Sequence, residues 1–295
     1  MIQRFIAKKF TKQSAAIIEI ANAILGEYLS QGYDLSLRQL YYQFVARDIL
    51  PNSERSYKML GSVISDARMA GLIDWDAIKD RGRTTVRNSH WNEPADILES
   101  AAQSFQIDKW EDQENYVEVM VEKQALEGIL IPLCREMDVA FTANKGYSSS
   151  SAMYEAAQRI NQRIDEGKSC HVLYLGDHDP SGIDMSRDVE ERLNLFTGYG
   201  DIAVHRLALN FEQVKKLKPP ENPAKLTDSR ASSYVMKYGH SSWELDAIEP
   251  KLLVKIVKTA IKNLRDEDEW RAAEMRELEM VRSIEEMARA ARGAA

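Results

Sequence analysis

The sequence predicts a mixed α/β chain: a helical N-terminal unit, then a mainly parallel sheet, then a helical tail. Three observations point there. Residues 11–70 place apolar side chains at helical spacing in three successive segments. From residue 116 onward, short apolar runs alternate with helical segments, the pattern of βαβ crossovers. The run HVLYLGDHDPSG at 171–182 ends a buried strand in two carboxylates, Asp177 and Asp179.

The chain has 295 residues, enough for two domains, and is 44% hydrophobic, enough to fill their cores. No apolar run approaches the roughly 18 to 20 residues of a membrane span. The opening MIQRFIAKKF lacks the apolar core of a secretory signal. A cytoplasmic or nucleoid location with no membrane partner is therefore expected. Cys134 and Cys170 lack metal-ligand spacing and read as reduced core thiols. The net charge of −7 argues against a nucleic-acid partner, but it is unevenly spread. Residues 1–90 carry 13 Lys and Arg against 9 Asp and Glu, leaving +4, and the remaining 26 basic and 37 acidic residues give −11. Local patches set attraction to phosphates, so the first third is where a DNA surface belongs.

In order, TKQSAAIIEIANAILGEYLS (11–30) reads as an amphipathic helix stopped at Gly32. Ser36 caps a second helix, LRQLYYQFVARDIL, ending before Pro51, and a third runs from Glu54 to about Ala70 before Gly71. In LIDWDAIKDRGRTTVR two short extended runs flank a turn at 80–83. Three helices and a basic hairpin describe a winged helix-turn-helix, in which a late helix enters the major groove and the wing touches the backbone. Arg55, Lys58 and Arg68 on the third helix, and Arg81, Arg83 and Arg87 near the wing, are candidate phosphate contacts, or else a solvated face. Residues 93–115 read as a short helix and an acidic linker. These boundaries give a winged-helix domain at 1–92, a sheet domain at 116–250 and a helical extension at 251–295.

Within the sheet region, YVEVMVE, VAFTA, HVLYLG and DIAVHRLAL are the strands, and helices follow Glu122 and fill 152–165. Residues 210–240, with Pro219, Pro220 and Pro223, read as a long surface loop. Glu244 and Asp246 fall in a capped first turn of a helix-rich end. The tail from Arg265 carries a stripe of Met275, Leu278, Met280, Val281, Ile284 and Met287 that packs on the body or on a second copy.

Ligands of parallel sheets sit at the carboxyl ends of the strands. Glu122, Lys145 and the pair Asp177/Asp179 each fall just past such an end. Three carboxylates suit a hard cation such as Mg²⁺, and Lys145 suits a phosphate beside it. The alternatives are an ordinary Asp-Pro-Gly turn for the aspartates and a helix-dipole partner for Glu122. The serines Ser148 to Ser151 offer either a phosphate cradle or an N-cap.

VMVEKQAL with Glu122, NKGYS around Lys145 and GDHDPSGID with Asp177 and Asp179 together resemble a Toprim domain. That is the Mg²⁺-binding, Rossmann-like module of topoisomerases, primases and overcoming-lysogenization-defect nucleases. SLRQLYY in the second helix of a preceding winged helix, and WELDAIEP after the sheet, make the order of domains similar to the A subunit of topoisomerase VI and its meiotic double-strand-break relative. The similarity covers roughly residues 10 to 260.

The resemblance implies Mg²⁺, with Mn²⁺ as a substitute, on Glu122, Asp177 and Asp179. It also implies attack on double-stranded DNA by Tyr42, with Arg38 four residues before it and Glu122 assisting the leaving sugar hydroxyl. In that family the tyrosine of one subunit meets the metal of the other, which implies a homodimer. Strand passage would need a separate ATPase subunit. Helical geometry independently puts Leu37, Leu40, Tyr41 and Phe44 on the core stripe and Tyr42 away from it, with Arg38 as its surface neighbour favouring phenolate. Without the resemblance, Tyr42 is a half-buried aromatic. His178 departs from the family, which usually has glycine there, and the tail has no counterpart in it. Two further functions compete: a hydrolytic Toprim endonuclease of the plasmid-defence type that needs no tyrosine, and a DNA-binding scaffold without catalysis.

Overall fold

The computed structural model describes residues 2–33, 35–78, 88–144, 146–199 and 202–293. It holds a four-stranded parallel sheet with helices on both faces, a helical N-terminal unit and a long C-terminal helix.

Helix α1 (Lys12–Leu29) starts where the Thr11 hydroxyl accepts the Ser14 amide. It buries Ile17, Ala21, Ile24, Leu25 and Tyr28, the face its periodicity marks. Helix α2 (Leu37–Ala46) opens on a reciprocal capping box between Ser36 and Gln39. It stops at Ala46, short of the Leu50 limit read from the sequence, because Asp48 turns left-handed at φ 54°. The Ile49 and Leu50 amides then fold back onto the Phe44 carbonyl. Helix α3 (Glu54–Met69) is capped by Ser53. All three share one core around Leu40, Phe44, Leu60 and Ile64.

The first extended run expected after α3 is instead a 3-10 turn, Trp75–Ala77, because the Asp74 carboxylate accepts the Asp76 amide and curls the chain. Ile78 then pairs with Leu35 in a single parallel bridge. The turn at 80–83 and Arg81, Arg83 and Arg87 lie outside the described residues.

The sheet comprises β1 (Asn115–Val121), β2 (Ala140–Ala143), β3 (Ser169–Leu175) and β4 (Ala203–Ala208), all parallel in the order β2-β1-β3-β4. Val121 pairs with both Ala143 and Leu175, so the carboxyl ends of the three strands are level. Strand alternation divides two cores. Val117, Val119, Val121, Leu173 and Leu175 pack under α5 (Glu127–Glu136) and α10 (Pro250–Asn263). Met120, Val172 and Tyr174 pack under α6 (Ser150–Asp165) and α7 (Pro180–Thr197). Ser149 caps α6. Both cysteines are buried and free.

Residues 210–240 are not one loop. They form α8 (Phe211–Leu217), α9 (Ala231–Tyr238) and β5 (Asn222–Pro223), which pairs with β6 (Ser241–Ser242). An Asn210/Gln213 capping box starts α8. The rings of Phe211, Tyr234, Tyr238 and Trp243 then surround His178, which supplies the core that a surface loop would lack.

Helix α4 (Pro94–Ser104) lies against α11 (Glu267–Gly293), with Ala95, Ala102 and Ala288 buried. The pair is antiparallel. Glu277 receives the Ile107 amide and Lys109, whereas Arg292 meets Glu93, Asp96 and Glu99 at the start of α4. Of the apolar stripe read in the tail, Val281 and Ile284 are half-buried, and Met275, Leu278, Met280 and Met287 are exposed.

Candidate active site at the carboxyl edge of the sheet

From β1 the chain leaves toward β2 on one side, and from β3 toward β4 on the other. The ends of β1 and β3 therefore part at a switch point, where open parallel sheets hold ligands. Glu122 and Asp177 stand there. Glu122 Oε2 accepts the Asp177 amide at 2.8 Å. This approach requires glycine at 176, since a Cβ there would lie 2.9 Å from Glu122 Oε2 and from the Tyr174 ring. Asp179 caps α7, its Oδ1 accepting the Gly182 amide at 2.6 Å and the Ser181 hydroxyl at 3.0 Å. From β4, Arg206 clamps the turn through the carbonyls of Gly176, Asp177 and Gly182.

A second segment closes over this turn. The 3-10 turn Leu245–Ala247 sends its Leu245 amide to Asp177 Oδ1 at 2.8 Å. Lys123 Nζ lies 2.8 Å from Asp177 Oδ2, 2.8 Å from Glu244 Oε2 and 4.0 Å from Asp246 Oδ2. Glu244 in turn meets Arg38 Nη1 of α2 at 3.2 Å and Asn222 Nδ2 at 3.4 Å. The N-terminal unit thus reaches the rim of the sheet through Glu244.

Burial and then Asp177 raise the Glu122 carboxyl to about 7. Burial raises Asp177, and it raises Asp246 to about 6. Burial works against the Lys123 ammonium, but Asp246, Asp177 and Glu244 more than offset it and hold the charge firmly. Burial also opposes the Glu244 charge, and Lys123, Tyr42 and Arg38 outweigh it, so this carboxyl is lowered.

Tyr42 is only 4% exposed, as buried as Tyr41, and this corrects the expectation that it points away from the core. Helical periodicity within α2 does not include the 245–247 turn, which packs on α2 so that Ala247 joins its core. Burial, then Glu244, raise the phenol; Lys123 and Arg38 pull it down and lose. In this arrangement the guanidinium does not yield a phenolate. The Tyr41 hydroxyl is spent on the backbone of Pro51 and Ser53.

The remaining sequence candidates divide. Arg55 and Lys58 are exposed on α3, with Lys58 paired to Glu54. Arg68 donates to the Trp75 and Ile78 carbonyls and stacks on the Trp75 ring, so its guanidinium holds the turn after α3. Lys145 lies outside the described residues. The His178 ring is held among aromatics, with Nδ1 2.7 Å from the Tyr234 hydroxyl, and burial lowers it to about 4, so it is neutral. Sequence reading missed Lys123, Arg206 and the roles of Glu244 and Asp246. The spacing of Glu244 and Asp246, two apart like Asp177 and Asp179, was the available signal.

The donor chemistry of this rim fits a hard divalent cation. Glu122, Asp177, Asp179, Glu244 and Asp246 supply oxygen ligands and an excess of negative charge. Both oxygens of Asp246, 3% exposed, lack a hydrogen-bond partner among the described residues. As the side chains stand, no three acidic, histidine or cysteine groups among the described residues converge on one point. Asp177 is turned to Lys123 and Leu245, and Asp179 to its own helix. No helix among the described residues is long and apolar enough to cross a membrane.

The fold and rim define an open parallel α/β protein with a cluster of carboxylates at its switch point. Set against known proteins, the chain matches no protein-family model and no curated protein.

Proposed function

We propose that this chain is a metal-dependent DNA-cleaving enzyme of the topoisomerase VI A subunit type, with residues 1–92 as a winged-helix DNA-binding unit and 116–250 as a Toprim domain. The supporting observation is that Arg38 and Tyr42 of α2 meet Glu244, which Lys123 joins to Asp177 at the carboxyl edge of the sheet. Tyr42 Oη attacks the phosphorus, forming the phosphotyrosyl bond, and its proton passes to solvent. The P–O bond to the sugar breaks, and Glu122 gives the leaving oxygen its proton. Arg38 pairs with the non-bridging phosphate oxygens. Glu122, Asp177 and Asp179 would hold Mg²⁺ or Mn²⁺, which supplies Lewis-acid stabilisation of the phosphate charge. A homodimer cutting both strands of duplex DNA, with an ATPase partner for strand passage, belongs to the same proposal.

One observation favours the second reading, hydrolysis without the tyrosine: Tyr42 is buried and its phenol is raised. Supercoiled plasmid with Mg²⁺ or Mn²⁺ separates the two. Tyr42→Phe should abolish both cleavage and the covalent protein–DNA adducts trapped by denaturing detergent. Retained cutting with free ends would establish the hydrolytic enzyme instead. No metal-dependent nicking by the native chain would leave a DNA-binding scaffold.

A further inference from the structure

The carboxylate of Glu244 is gripped by three side chains from separate parts of the fold. Arg38 Nη1 (α2) and Lys123 Nζ (the end of β1) share Oε2 at 3.2 and 2.8 Å, and Asn222 Nδ2 (β5) reaches Oε1 at 3.4 Å. Glu244 immediately precedes the 3-10 turn yet caps none of its amides, so its side chain is left to these partners and to the Tyr42 phenol beside it. Two cations and an amide converging on one forked anion is the arrangement that recognises a phosphate as readily as a carboxylate.

Room for a larger anion adjoins it. A cavity of roughly 350 Å³ is lined by Arg38, Tyr42, Ser53, Tyr57, Asn222 and Glu244. Arg38 keeps 47% of its side chain exposed and Glu244 keeps 25%, which leaves both an approach and an exit. Lys123 would not be stranded if Glu244 left, because Asp177 stays at 2.8 Å and Asp246 at 4.0 Å.

We propose that Arg38, Lys123 and Asn222 form a binding site for a phosphodiester oxyanion, with Glu244 as the resting occupant that the phosphodiester displaces. This rests on the DNA-cleaving reading and adds a gate to it. With Glu244 in place the Tyr42 phenol faces a carboxylate. With phosphate in place the same phenol faces phosphorus. The closed state therefore protects the nucleophile until an anion of the right shape competes for the two cations.

The test measures binding of inorganic phosphate by ligand-observed phosphorus NMR, and of a fluorescein-labelled DNA duplex by anisotropy, both without divalent metal. Glu244→Gln removes the competing charge and should tighten phosphate binding roughly tenfold. Adding Arg38→Gln to that variant should erase the gain, and Arg38→Gln alone should weaken binding by about the same factor. Arg38 is half exposed, so that variant decides the matter even if Glu244→Gln fails to fold. Phosphate binding equal in the native chain and in all three variants overturns the proposal, whatever the duplex does. A gain for phosphate with no duplex binding by any variant keeps the anion site and removes the DNA reading. Duplex binding that ignores both substitutions, with phosphate likewise indifferent, keeps DNA and removes the gate.

Discussion

Replacing Glu122 by Gln deletes a charge that folding disfavours, and the cost is calculable. The carboxyl rises from an ordinary 4.5 to about 7 in the folded chain, first through burial and then through Asp177. Folding thus favours the protonated form. Its contribution to stability is fully present below about 4.5 and is lost as pH rises through about 7, a span worth about 3 kcal/mol. Glutamine stays neutral throughout and can still accept the Asp177 amide through its own Oε1. Glu122→Gln should therefore match the native chain near pH 4 and exceed it by about 3 kcal/mol at pH 8. Urea unfolding followed by circular dichroism in EDTA, at several pH values across this range, measures the difference. The raised carboxyl of Asp246 is common to both proteins and largely cancels, whereas Asp177, coupled to Glu122, is eased by the substitution and adds to the difference in the same direction. A difference that does not change with pH would refute the electrostatic account of the rim. Adding Mg²⁺ at pH 8 should stabilise the native chain and leave the variant nearly unmoved.

Other expectations follow from geometry. Gly182→Ala would put a Cβ 2.3 Å from the Asp177 carbonyl oxygen, so the turn that carries Asp177 and Asp179 must shift; a loss of about 2 kcal/mol or more in thermal unfolding is expected. Arg68→Ala removes charge-assisted bonds to the Trp75 and Ile78 carbonyls and should cost about 2 kcal/mol of stability, read in the same melt, and under the proposed function it should leave the salt dependence of DNA binding unchanged. If the proposed DNA-binding function holds, Arg55→Ala and Lys58→Ala should do the reverse, each lowering the slope of log affinity against log salt by about 1 at unchanged melting temperature.

The local elements were legible because periodicity and capping residues are local. Ser36 caps α2 as its sequence marks, and the level strand ends put Glu122 and Asp177 side by side, as βαβ alternation implies. What escaped was tertiary. The burial of Tyr42 comes from a turn some 200 residues away, which no helical wheel of α2 contains. Lys123 looked like a helix-start residue until Glu244 and Asp246 arrived beside it from beyond β6. Arg68 carries the same charge as Arg55, and only the fold shows that its guanidinium is occupied by carbonyls. Residues 210–240 read as loop because prolines dominate the pattern, whereas the ring cluster on His178 organises two short helices there.

The pairing of α4 with α11 bears on the order in which the molecule assembles. Their contacts span 170 residues at Ile107–Glu277 and 196 at Asp96–Arg292. During synthesis the three-helix unit and the strands can each collapse on nearby neighbours, but Ala95 and Ala102 stay uncovered until the ribosome has released residues 277–292. The connector is then among the last parts to become rigid, and a protease or an early stop codon acting inside α11 would loosen the joint between the two halves while sparing the core of each.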